Sequence, residues 1–472
     1  MGRWPASWPD RAWFLGIGGA AMSGLACLLA ERGTEVAGSD GAVYPPASDV
    51  LAEAGIEVRT PFDAANVPTD GRLIVVGNAI SRGNPELERA LDLGLPLASM
   101  AELIERLLVP GRRVIAVAGT HGKTTTASLV VHLLAAAGRD PSFVIGGRPG
   151  GFPRGAHLGR GDDLVVEADE YDTAFFDKGP KMMHYWPRIA VLGPVEFDHA
   201  DIYADQAAVE RAFALFLRLV PAAGRIVAHA DDPVARRLAG AASAPVTLAG
   251  DAPDAAFSAA VRDEDAGGQT FDLLVSGRAE AQVRCALPGA HNRHNVLAAL
   301  AAVDAAGLPA GQAAGHVATF RPPARRLTLI AAGARGTAWD DFAHHPTAIR
   351  ATLETVRRAV PEGGRLVACV EPRSNTMVRA GTAPALFEAL RAADVVYLGP
   401  VDRPERFTDD ERLDVAALAA RLRAEGIDAE GPLDAGEIAA RIAAGGRAGD
   451  RIVVMSNGAF GGLPQRLAEV LR

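Results

Sequence analysis

Short apolar runs alternate with amphipathic stretches along the whole chain, the pattern of layered α/β units. In the first block, residues 12–17 are apolar and end in glycines, and 22–32 repeat at helical spacing. Val36 and Ala37 then lead into Gly38-Ser39-Asp40, and Leu-Ile-Val-Val at 73–76 reads as a strand covered on both faces. Helices are expected over 85–93 and 101–108. The turn residues and arginines of Val109-Pro110-Gly111-Arg112-Arg113 read as a linker.

The second block begins with a strand over 114–118 and a long helix after Lys123. Strands follow at 164–166 and 189–192, and a helix at 206–219. Residues 244–287 look like short strands and turns, a small sheet appended to the block. Arg321-Pro322-Pro323 suggests the next boundary. The third block repeats the alternation, with strands at 366–370, 395–398 and 452–455. The pattern predicts an α/β protein of three domains, 1–110, 111–324 and 325–472.

Composition narrows the function classes. A chain of 472 residues exceeds one core. Its 49% hydrophobic and 22% charged residues are ordinary for a soluble globular protein. A net charge of -9 leaves no basic excess to displace counterions, which argues against nucleic acid as a partner. No apolar run nears the roughly 20 residues that span a bilayer. Residues 1–11 carry Trp, Pro and charges rather than a secretory signal. Cys27, Cys285 and Cys369 lie too far apart for a disulfide framework or zinc knuckle and are expected as fillers in a reducing compartment. A cytoplasmic protein is therefore expected, with no membrane insertion and no obligate protein partner evident. Of 48 basic residues only Lys123, Lys178 and Lys181 are lysines. A lysine kept under that bias points to a need for a compact ammonium.

Lys123 stands in the strongest motif, Val114-Ile115-Ala116-Val117-Ala118-Gly119-Thr120-His121-Gly122-Lys123-Thr124-Thr125. A strand ends in a glycine loop and a helix follows at once, so backbone N–H groups and the helix dipole favour phosphate oxygens. Lys123 would reach the β- and γ-phosphates and Thr124 would ligate Mg²⁺. The first glycine stands three residues before the second, not the usual five. An accidental strand–turn–helix is the bland alternative, and the lysine followed by threonines weighs against it.

This shortened loop resembles that of Mur ligases and folylpolyglutamate synthases. The resemblance implies Gly119, Thr120, His121, Gly122, Lys123, Thr124 and Thr125 as ATP contacts. A phosphate-bound Mg²⁺ needs carboxylates at a neighbouring strand end, and Glu167-Ala168-Asp169-Glu170 supplies them. Glu170 matches the family's bridging metal ligand; Glu167 and Asp169 are open between support and plain exposure. His199, in Glu196-Phe197-Asp198-His199, matches the ligand of a second Mg²⁺. Asn292, in Pro288-Gly289-Ala290-His291-Asn292, resembles the family's stretch near the adenine, and Arg326 and Asp341 its further nucleotide contacts. In Asp340-Asp341-Phe342-Ala343-His344-His345-Pro346 the family places ATP and incoming-amine contacts; a zinc site is the rival reading. Lys123, His199 and His345 are the implied catalytic groups, and His344 and Arg373 the implied peptide contacts.

Gly16-Ile17-Gly18-Gly19-Ala20-Ala21 followed by Asp40 would by itself suit a nicotinamide dehydrogenase. In the resembling enzymes this turn holds a UDP diphosphate. Gly18, Gly19, Ser39, Asp40, Asn78 and Ile80 are the implied UDP-sugar contacts. The architecture implied is a Rossmann-like N-terminal domain for the UDP-sugar, a P-loop ATPase-like central domain, and a Rossmann-like C-terminal domain for the incoming peptide.

Within the family, the stretches 170–178, 196–201, 371–377 and 455–462 resemble a member that joins L-Ala-γ-D-Glu-meso-diaminopimelate to UDP-N-acetylmuramate in murein recycling, using ATP and Mg²⁺. The alternative is the member that adds L-alanine to the same sugar in de novo peptidoglycan synthesis. Two departures stand out. Pro194 occupies a position the family usually gives to asparagine. No lysine lies between His199 and Gly224, where other members carry a carbamylated one.

Overall fold

The structure, a computed structural model, describes residues 7–265 and 267–472. Residues 1–6, on which part of the reading of the start rests, lie outside the described residues. Among the described residues no helix is long and apolar enough to cross a membrane.

Three sheets organise the chain. The first is parallel throughout, in the order Glu57–Arg59, Glu35–Ser39, Arg11–Leu15, Leu73–Val76, Leu97–Ser99. The chain reverses direction across the sheet beside Arg11–Leu15, and such a switch point opens a crevice at the strand ends. The helix Pro85–Asp92 starts where expected because the Asn84 side chain accepts from Glu86 N and Leu87 N and Pro85 takes a first-turn position. The helix expected over 101–108 is instead a short α-helix, Met100–Leu103, that continues as a π-helical turn, Ile104–Leu108.

The second sheet has ten strands. Its parallel centre runs Val246–Ala249, Arg225–His229, Ile189–Leu192, Arg113–Ala118, Asp163–Glu167, Ser142–Val144. Residues 244–287, expected as a small sheet appended to the block, extend this sheet itself. Phe257–Asp265, Gly268–Val275 and Arg278–Cys285 form an antiparallel run that joins the main sheet through Ala249 and Phe257. Their inward residues Phe271, Leu273 and Val283 bury against the core beneath the helix Ala290–Ala305.

The third sheet runs Thr328–Gly333, Gly336–Asp341, Arg451–Met455, Leu366–Val370, Val395–Leu398, Asp428–Glu430, parallel except for its first pair. Its two faces carry separate apolar clusters around Leu353 and Val454. The first two sheets instead share one cluster that runs from Phe14 and Leu28 through Val114 and Leu192 to Phe213. Burial of that shared surface couples their positions.

Candidate functional site

Asp163–Glu167, Arg113–Ala118 and Ile189–Leu192 lie side by side and parallel, so their carboxyl ends open at one edge. The loop leaving the middle strand can form only with glycine at two places. At Gly119 (φ 125°) a Cβ would come within 2.9 Å of the Gly193 backbone. At Gly122 (φ 78°) it would come within 2.3 Å of Asn295 Oδ1. The helix Lys123–Ala136 starts directly after, with its first N–H groups free for an anion.

Lys123 Nζ donates to Gly119 O at 2.8 Å and to Glu170 Oε2 at 2.8 Å. Burial opposes its charge, but Glu170 and Asp169 outweigh that and hold its pKa above the ordinary lysine value. Thr124 Oγ1 donates to Glu167 Oε1 at 2.8 Å, and Gly146 N donates to Glu167 Oε2 at 2.9 Å. Glu167 therefore belongs to the loop's surroundings rather than to solvent. Thr120 and Thr125 sit at the same loop. The Thr120 hydroxyl is engaged by Glu196, accepting from its N at 2.9 Å and donating to its O at 3.2 Å. Thr125 is buried and lines the adjoining cleft. Pro194 loses an N–H, yet its carbonyl accepts from Thr120 N at 2.7 Å, so the loop keeps a backbone tie at that point.

Beside the lysine, His199 Nε2 lies 3.1 Å from Glu170 Oε1. One ligand atom from each of Asp169, Glu170 and His199 falls within 4.8 Å of the others. Two carboxylates, a nearby threonine hydroxyl and one imidazole suit Mg²⁺ or Mn²⁺, which favour oxygen donors and admit nitrogen. Burial opposes the charge on His199, but its hydrogen bond and attraction to Glu170 outweigh this and raise its pKa.

Across the cleft stands the third block. Its helix Pro346–Arg357 is capped by His345, and this places His345 Nδ1 3.3 Å from Glu196 Oε2. The same oxygen lies 3.0 Å from His121 Nε2. Burial opposes charge on Glu196, but His121 and then Thr347 and His345 hold its pKa down at about 2. Burial lowers the pKa of His345, and that of His344 to about 4, so both are neutral near pH 7. Of the residues in the rival zinc reading at 340–345, His345 falls with His121 and Glu196 in a group whose ligand atoms lie within 4.8 Å of one another, while the others are bonded elsewhere. Asp340 pairs with Arg325 at 3.0 Å, Asp341 accepts from Leu327 N and Ala343 N at 2.9 Å each, and His344 Nδ1 donates to Phe342 O at 2.8 Å. Between the blocks lies a cleft lined by His121, Gly122, Asn292, Arg326, Asp341 and Thr347 among others. Arg373 sits farther along, packed over Gly458 and 3.5 Å from Asp402 Oδ1.

At the first sheet, Asp40 Oδ2 accepts from Gly18 N at 2.8 Å and its Oδ1 from Gly41 N at 2.7 Å, so the glycine turn and the second strand end meet. Gly19 caps the helix Ala20–Glu31. Ile80 packs beneath Gly16, and Asn78 is exposed beside it. Ser39, expected as a UDP-sugar contact, has a fully buried side chain whose hydroxyl donates to Glu86 Oε2. Glu86, itself 0% exposed, also accepts from Trp13 Nε1 at 3.2 Å, Asp63 N at 3.1 Å and Asn66 Nδ2 at 2.9 Å. Sequence reasoning assigned no role to Glu86 or Glu196. A glutamate in a helix's first turn reads as a dipole complement, and nothing local signals partners so distant.

Comparison with known proteins adds to this geometry. Residues 12–110 match the Mur ligase family, catalytic domain; 117–303 match the Mur ligase middle domain; 325–458 match the Mur ligase, glutamate ligase domain. The UDP-N-acetylmuramate–L-alanyl-gamma-D-glutamyl-meso-2,6-diaminoheptandioate ligase of Escherichia coli (strain K12) is 40% identical, covering 98% of each chain. The UDP-N-acetylmuramate–L-alanine ligase of Burkholderia ambifaria is 35% identical, covering 97% of each. Among solved structures, a murein peptide ligase from Psychrobacter arcticus 273-4 superposes with a TM-score of 0.75 at 32% identity, over 98% of each chain.

Proposed function

The chain belongs to the Mur ligase family, and from that membership we propose that it joins L-alanyl-γ-D-glutamyl-meso-diaminopimelate to UDP-N-acetylmuramate, with cleavage of ATP to ADP and phosphate, in murein recycling. The carrying observation is the likeness to the Escherichia coli ligase of that specificity along 98% of both chains. Addition of L-alanine to the same sugar is the second reading, favoured only by the more distant likeness to the Burkholderia enzyme.

A carboxylate and an amine do not condense usefully in water, so the carboxylate must first gain a leaving group. The three domains divide that work. The first, 1–110, receives the UDP-sugar at Gly18, Gly19, Asp40, Asn78 and Ile80. The central domain, 111–324, receives ATP at 119–125 and Asn292, with Arg326 and Asp341 reaching in from the C-terminal domain, 325–472, which binds the peptide. The lactyl carboxylate oxygen attacks the γ-phosphorus, the bond to ADP breaks, and an acyl phosphate forms. Lys123 balances charge on the transferring group. A divalent ion held by Thr124, Glu170 and His199 would supply further charge neutralisation there.

The alanine nitrogen of the peptide then attacks the acyl carbon and phosphate leaves. That nitrogen must lose a proton, and neutral His345, beside Glu196 at the cleft, is suited to take it; neutral His344 and Arg373 bind the peptide. Closure of the cleft excludes water that would hydrolyse the acyl phosphate. Mass spectrometry of a reaction with UDP-N-acetylmuramate, ATP and tripeptide tests the reading. The expected product is the UDP-sugar plus tripeptide less one water, formed with one ADP; release of ADP with the sugar unchanged would refute it.

A further inference from the structure

The backbone of His199 is unusual: its φ is 56°, a left-handed conformation that non-glycine residues adopt at some cost. Its carbonyl accepts from Ile202 N and Tyr203 N within its own domain, and a further tie comes from the third domain. Thr376 Oγ1 donates to Asp198 Oδ1 at 2.5 Å and accepts from Ala200 N at 3.5 Å, so one hydroxyl spans the residues on both sides of His199. The same Asp198 oxygen accepts from His199 N at 2.8 Å. Thr376, Asp198 and His199 are all buried. Thr376 is itself fixed from within its domain, since its carbonyl accepts from Thr382 Oγ1 at 2.7 Å. Two positions before it, Ser374 Oγ donates to His344 O at 3.2 Å.

We propose that Thr376 is a positioning residue that acts through Asp198 to set His199 against Glu170, so that divalent-ion binding in the central domain depends on the C-terminal domain being docked. This rests on the reading of Glu170 and His199 as divalent-ion ligands. Groups that orient a metal ligand change metal affinity when removed by about 10–100-fold. Thr376→Val keeps the shape and removes both hydrogen bonds; Thr376→Ser keeps the hydroxyl.

The test is equilibrium binding of Mn²⁺ alone to the full-length protein, read by electron paramagnetic resonance of the free ion, with thermal melting of each variant alongside. Wild type and Thr376→Ser should bind alike, and Thr376→Val should bind about tenfold or more weakly. Should Thr376→Val fail to fold, Thr376→Ala carries the same expectation. A folded variant lacking the hydroxyl that binds Mn²⁺ as wild type does would overturn the proposal, as would equal weakening in Thr376→Ser. If His199→Ala leaves Mn²⁺ binding unchanged, the site reading itself fails and the proposal with it.

Discussion

Lys123 and Glu170 form an ion pair at 2.8 Å between the phosphate loop and the strand end beside it, with only 12% and 2% of their side chains exposed. The ammonium also donates to the Gly119 carbonyl, which fixes it at the loop. A guanidinium is larger and planar, and would not fit those partners. Lys123→Ala should lower ligation by about a hundredfold or more, and Lys123→Arg should not restore it. Steady-state ADP release checks both, and unchanged binding of the UDP-sugar would locate the loss at the central domain.

Gly122→Ala should remove nucleotide binding while sparing the first domain. The new Cβ would meet Asn295 Oδ1 at 2.3 Å on a backbone at φ 78°, a strain of about 1–3 kcal/mol. Calorimetric titration with ADP and, separately, with UDP-N-acetylmuramate reads the two sites independently. Equal weakening of both would mean that the substitution unfolds the protein rather than deforming one loop.

Glu86 gathers four donors from separate segments onto one buried carboxylate. Glu86→Gln turns an N–H₂ toward two of those donors and should destabilise the first domain by about 1–3 kcal/mol. Urea unfolding followed by tryptophan fluorescence tests this through Trp13, whose indole N–H is one of the four donors. An unchanged midpoint would show that the clasp contributes nothing.

His184 joins the first two domains, with Nδ1 2.7 Å from Glu105 Oε2 and Nε2 2.8 Å from Asp177 Oδ2. Burial opposes its charge, but hydrogen bonds to Glu105 and Asp177 outweigh it and raise the pKa above 6.5. A raised folded-state pKa gives stability that is fully present below 6.5 and lost as pH climbs through the folded value. The melting-temperature difference between wild type and His184→Gln should therefore be largest in mildly acidic buffer and shrink on the alkaline side. A difference that grows with pH would contradict the assignment.

Local features were legible in the chain, and distant ones were not. The phosphate loop could be read because strand, glycines, lysine and helix are contiguous from Val114 to Thr125. How the strands at 257–285 join the main sheet could not be read, because the join is short, a single register pair of Ala249 with Phe257 beside a bond from Gly250 N to Phe257 O. Ser39 looked like a ligand contact because it precedes Asp40; only the fold shows Glu86, 47 residues away, taking its hydroxyl. Glu196 and Thr376 stand in stretches that carry the resemblance, but their contacts could not be read, their partners lying 75 and 178 residues away in sequence. Pro194 departs from the asparagine usual at its position, and what the chain alone did not show is that its carbonyl accepts from Thr120 N.

The proposed activity turns on the choice of amine. ADP release should be followed with UDP-N-acetylmuramate, ATP and Mg²⁺, adding either L-alanyl-γ-D-glutamyl-meso-diaminopimelate or L-alanine. Turnover that requires the tripeptide and is negligible with L-alanine is the predicted result. Turnover with L-alanine at the higher kcat/KM would contradict it, leaving the ATP chemistry in place and moving the enzyme to the first amide bond of the peptide stem.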